Sequence, residues 1–181
     1  MGNERDEALE MFCTVMEMKE KKKALYEDAM STCPDQVGIE TFRMLRDSEV
    51  QHLKHVQETY EEIKKGKVWA DACKYHQAED EDRQALLRRI AEEHGKMPRA
   101  CLDDVVAIET GLQLENSSIV FLQKQAEISK DQMAREFIDR LLTEEREHYI
   151  LLADLKYYYV DPEAWFMEKS RSRLDGAGAV T

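Results

Sequence analysis

Proline and glycine are scarce, three and seven among 181 residues, so little in the chain interrupts a helix. The four cysteines, Cys13, Cys33, Cys73 and Cys101, include no Cys-x-x-Cys pair. That excludes a four-thiolate metal centre of the usual spacing and a dithiol redox motif. Sparse, unpaired thiols fit a reducing compartment. No apolar run approaches membrane-spanning length, and the first residues, MGNERDEALE, lack the apolar core of a signal peptide. A cytoplasmic protein with no membrane partner is the expectation. Positive charge is also in deficit: 26 Lys and Arg stand against 38 Asp and Glu, a formal net charge of −12. Nucleic acid is therefore an unlikely partner, because a phosphate backbone would be repelled.

What remains is rich in Ala, Leu, Met, Glu, Lys and Arg, and it reads as one all-α domain over residues 1–181. Four long helices are expected, at about 5–30, 35–65, 103–129 and 131–160. Cys33-Pro34 stops the first, Asp35 caps the second, Gly66 ends it, and Pro162 follows the fourth. The stretch 66–102 is too long for a hairpin, so it is expected to cross the bundle, with a short helix at about 79–94. One such crossover in an antiparallel four-helix bundle is the ferritin-like arrangement. The segment 161–181 should add a short docking helix, packed through Trp165 and Phe166, and fray from Gly176.

The two halves repeat at an offset of 96 residues. Phe42, Leu45, Glu49, His52 and Val56 on the second helix match Ile138, Leu141, Glu145, His148 and Leu152 on the fourth. The third helix carries Val105, Ile108, Leu112, Glu115, Ile119, Leu122 and Ala126, and the first Ala8, Phe12, Val15, Lys19, Lys22, Tyr26 and Ala29. Each is an apolar stripe facing a core, interrupted by polar residues at one level. A carboxylate there costs several kcal/mol unless it is paired or holds a cation. Glu-x-x-His puts both side chains on one helix face, and two copies on repeated helices form the known ligand pattern of di-metal bundles. Glu49, His52, Glu115, Glu145 and His148 are thus the candidate metal ligands.

LENSSIVFLQKQA on the third helix, EVQH on the second, EREH on the fourth and KKKALYEDA on the first resemble the rubrerythrin and ferritin-like family. The likeness spans roughly Ala8 to Tyr159. It implies a non-haem, usually di-iron, centre that reduces peroxide or oxygen, and a homodimer or larger homo-oligomer. The rubredoxin domain of rubrerythrin proper is missing, which implies a separate electron-donor protein. Mixed carboxylate and imidazole ligands suit iron, with manganese or zinc as substitutes.

The chain departs from the family where a ligand glutamate is expected seven residues before Tyr26. That position is Lys19; Glu20 is adjacent but turned by about 100°. Three carboxylates with one ammonium leave the charge of a single divalent cation, so of one or two irons per chain the site is expected to favour one or to bind the second weakly, unless a distorted first helix swings Glu20 inward and restores two. Tyr26 is a candidate hydrogen-bond donor to a ligand carboxylate. His55 is expected to be exposed, and Cys13 to be buried. The functional expectation is a rubrerythrin-type oxidoreductase, with iron oxidation and storage as one alternative. The other is a non-catalytic scaffold, in which Glu145→Ala would leave stability unchanged or raised.

Overall fold

The computed structural model describes residues 2–66 and 102–174. The expected crossover helix at 79–94, with Cys73, His76, His94 and Cys101, and the chain end from Gly176 lie outside the described residues. The described residues form five helices: α1 Gly2–Thr32, α2 Gln36–Lys64, α3 Leu102–Ile128, α4 Gln132–Val160 and α5 Pro162–Leu174. These follow the expected spans to within a few residues, with no strand among the described residues.

Local chemistry sets the helix ends. Asp35 is extended and its carboxylate accepts from the Gly38 amide; Asp131, its mate in the repeat, does the same for Ala134. Each thereby satisfies an amide that the first helical turn leaves without a partner. Gly66, at φ +88°, closes α2 in the left-handed region, where a side chain would be strained.

Contacts give the helix directions. The α1–α2 hairpin brings Arg5 near Gly66, and α3 and α4 form a second hairpin through residues 129–131. Lys22 meets Glu115 while Tyr26 flanks Gly111, so α1 and α3 are antiparallel. Asp35 meets Tyr159 while Ser48 meets His148, so α2 and α4 are antiparallel too. It follows that α2 and α3 point the same way, which no tight turn can connect.

The apolar side chains fall into two clusters. One gathers Phe12, Val15, Val56, Leu122, Phe137 and Ile138; the other gathers Tyr26, Phe42, Leu45, Ile108, Leu152 and Trp165. A polar layer divides them, made by the residues that interrupt the stripes. Trp165 is buried edge-on against Tyr158 and docks α5 onto α4, as its expected packing role requires.

Candidate cation site in the bundle core

The four stripes deliver their polar residues to a single level. Lys19 and Lys22 from α1, Glu49 from α2, Glu115 from α3 and Glu145 from α4 are each at most 1% exposed. The i, i+3 spacing of the two lysines places both ammoniums on the same face, reaching inward. Lys19 Nζ donates to Glu145 Oε1 at 2.8 Å and to Glu49 Oε2 at 3.2 Å. Lys22 Nζ donates to Glu115 Oε2 at 2.8 Å and to Glu145 Oε2, and lies 2.7 Å from Glu49 Oε1. Lys22 thus touches all three carboxylates. Sequence reasoning placed it on the seam but gave it no role; a second lysine three residues after Lys19 on an apolar stripe was the available signal.

Burial works against charge on both lysines, yet the carboxylates around them outweigh it and hold each pKa above its usual value. Burial likewise opposes the ionised form of Glu145 and Glu49. Lys19 and Lys22 reverse this, taking Glu145 to about 2 and Glu49 well below the ordinary range. Glu115 differs: burial dominates and raises its pKa. Tyr26 Oη donates to Glu115 Oε1 at 2.5 Å, the bond expected of it, and burial followed by Glu115 raises the phenol's own pKa well above 10.0.

The histidines line the edge of this layer. His148 Nδ1 lies 3.3 Å from Glu49 Oε1 and 3.5 Å from Glu115 Oε1. Burial disfavours its charge, but these two carboxylates prevail and raise its pKa to about 10. With both ring nitrogens protonated, Nε2 donates to Ser48 Oγ at 2.8 Å. His52 takes the other state. Burial, then the positive charges of Lys19 and His148, lower its pKa to about 2. Its Nδ1 lies 3.2 Å from Glu144 Oε2, and Ser48 Oγ stands 3.5 Å from its Nε2. The two imidazoles stack at 5.6 Å. Half-buried Ser48 is where this edge meets solvent.

Of the expected ligands, Glu49, Glu115 and His148 offer donor atoms all within 4.8 Å of one another, and this buried group can hold a metal ion. Two of its atoms point to the same conclusion. Glu49 Oε1 and His148 Nδ1 are buried without a well-directed hydrogen bond, despite their close charged neighbours. Coordination would satisfy both atoms, so the donor set fits one cation. A second ion would meet Lys19, which stands between Glu49 and Glu145, and even the first requires Lys22, which stands between Glu49 and Glu115, to move aside. Glu145 is committed to the two ammoniums, and His52 stands outside the group, its Nδ1 3.2 Å from Glu144 Oε2 with neither atom in a well-directed hydrogen bond. Glu20 lies at the surface, half exposed and 3.3 Å from Lys23, outside the core. Cys13 is exposed rather than buried, and His55 half-buried rather than exposed. Scans of this chain against protein-family models, curated proteins and solved structures return no match.

Proposed function

We propose that this chain is a ferritin-like bundle of rubrerythrin type whose core binds one divalent cation, iron first, on Glu49, Glu115 and His148. The observation that carries the reading is the convergence of those three buried donors, with Glu49 Oε1 and His148 Nδ1 3.3 Å apart and neither in a well-directed hydrogen bond. The direction of the four helices, with α2 and α3 parallel, supports the ferritin-like assignment. The family resemblance of the Glu-x-x-His repeats extends the reading to oxidoreductase chemistry in the cytoplasm, in a homo-oligomer. Held by Glu49, Glu115 and His148, ferrous iron would supply reducing equivalents to peroxide or oxygen, with a separate donor protein to replenish them. The chain's own part is to hold and orient. Tyr26 fixes Glu115, Lys19 fixes Glu49 and Glu145, and the apolar clusters on either side keep the layer dry.

A second reading is favoured by a different observation. Lys19, Lys22 and the charged His148 together balance Glu49, Glu115 and Glu145, so these six charges cancel as they stand. On that reading the bundle is a metal-independent, non-catalytic scaffold. Equilibrium dialysis against ferrous iron under anaerobic conditions separates the two. One iron per chain, abolished in folded Glu115→Gln, is the expected result. Two tightly bound irons overturn the single-cation site. No bound iron, with a melting temperature indifferent to iron and chelator, establishes the scaffold.

A further inference from the structure

Lys22 occupies a position that a core lysine rarely has. Its ammonium is fully buried and in contact with a carboxylate from each of the other three bundle helices. Two of those carboxylates, Glu49 and Glu115, also belong to the group that can hold a metal. A cation bound by Glu49, Glu115 and His148 would place its charge beside the Lys22 ammonium, sharing the same oxygens. At 3–4 Å in a dry core two such charges repel by several kcal/mol even at an effective dielectric of 20. The two cannot be held together. Charge counting agrees. With Lys22 withdrawn and His148 giving up its Nδ1 proton to bind, three carboxylates facing Lys19 leave the charge that one divalent ion cancels.

We infer that Lys22 is a built-in competitor for the metal: its ammonium closes the carboxylate site when no cation is bound and must leave when one enters. This rests on the single-cation reading above. The flexible four-carbon stem of lysine permits such movement, whereas a rigid guanidinium fork would resist it. The tethered ammonium keeps the core neutral without metal, and it sets a threshold concentration below which the ion is excluded. Lys19 has a different part. It contacts Glu49 and Glu145 but not Glu115, so it stays in place and holds the second position shut.

Cobalt(II), a spectroscopically visible divalent probe, tests this by calorimetry and visible absorption on the full chain. Lys22→Met is expected to bind cobalt at least ten-fold more tightly than wild type, with one ion per chain. Lys19→Met, which removes an equal charge nearby, is expected to gain much less. A folded Lys22→Met that binds no tighter than wild type, or no tighter than Lys19→Met, overturns the inference. Should Lys22→Met fail to fold, wild type answers through reductive methylation. Lys22 is expected to resist modification in chelator-treated protein and to react when cobalt is present; continued protection with cobalt bound overturns the inference. Failure of the two readings is distinguishable. Wild type that binds no metal while Lys22→Met does sinks the native metal site and sustains the competitor. Wild type that binds one ion with Lys22→Met no tighter does the reverse.

Discussion

Glu145 receives hydrogen bonds from both core ammoniums, so its removal leaves two buried cations short of a partner. Glu145→Ala is therefore expected to destabilise the metal-free protein by about 3–5 kcal/mol. This reverses the sequence-based expectation that a metal-free scaffold would tolerate the change; that expectation lacked the Lys22 contact. The control is Glu20→Gln. Glu20 pairs with Lys23 at the surface, and its loss should stay within about 0.5 kcal/mol. Urea melts of the two variants beside wild type check both, and equal effects would mean the core ion pairs are not formed. Lys19 and Lys22 also show why a residue's type alone says little: identical side chains three positions apart share Glu49 and Glu145, yet only Lys22 also reaches Glu115 on α3.

At the scale of the element, the repeat extends to its caps, but the two copies do not carry equal weight. Asp131 accepts from Ala134 and is exposed. Asp35 is buried; besides capping α2 it accepts from Tyr159 Oη at 2.7 Å, tying the start of α2 to the end of α4. Loss of a cap costs about 1 kcal/mol, and a buried hydrogen bond left without its partner about 1–3 kcal/mol more. Asp35→Ala should thus lower stability by clearly more than Asp131→Ala, and Tyr159→Phe should remove most of the difference. Equal losses would show that the tie contributes nothing. Gly38 guards the same junction. A methyl group there would meet the Tyr159 hydroxyl and Cys33 Sγ, so Gly38→Ala should cost about 1–3 kcal/mol instead of the gain usual for Gly→Ala in a helix.

For the whole molecule, the two core histidines make stability depend on pH in opposite directions. His148 has its pKa raised from 6.5 to about 10, so its contribution is complete below 6.5 and is lost as pH climbs toward 10. His52 has its pKa lowered from 6.5 to about 2, so its contribution is complete above 6.5 and is lost as pH falls. Glu145, lowered from 4.5 to about 2, adds to the acid loss below 4.5, and the raised lysines add to the alkaline loss above 10.5. Chelator-treated protein is expected to be most stable near pH 6.5, with a steeper acid limb below 4.5. Unfolding free energies measured across the range check this, and His148→Gln should flatten the limb between 6.5 and 10. A steady rise in stability from pH 5 to pH 9 would contradict the assignment of charge to His148.

The helices, their caps and the level at which polar residues enter the core were legible along the chain. These depend on spacing along one chain: stripes at three- and four-residue steps, Asp35 and Asp131 repeated at 96, Pro34 after α1 and Pro162 after α4. The same periodicity exposed the meeting of Glu49, Glu115, Glu145 and His148, because side chains on one helix face must point together. Which of them meet a cation, and which cation, was decided only by the tertiary structure. Lys22 and Glu115 are 93 residues apart, and nothing local makes an ammonium reach a carboxylate on another helix. His52 and His148 match in the repeat yet their pKa values shift in opposite directions: burial lowers both, the positive charges of Lys19 and His148 add to it at His52, and two core carboxylates reverse it at His148. The candidate metal centre was legible as a set of ligand types. The lysine that fills it became visible once the four helices were assembled around one small dry volume, where each charge must find its counter-charge.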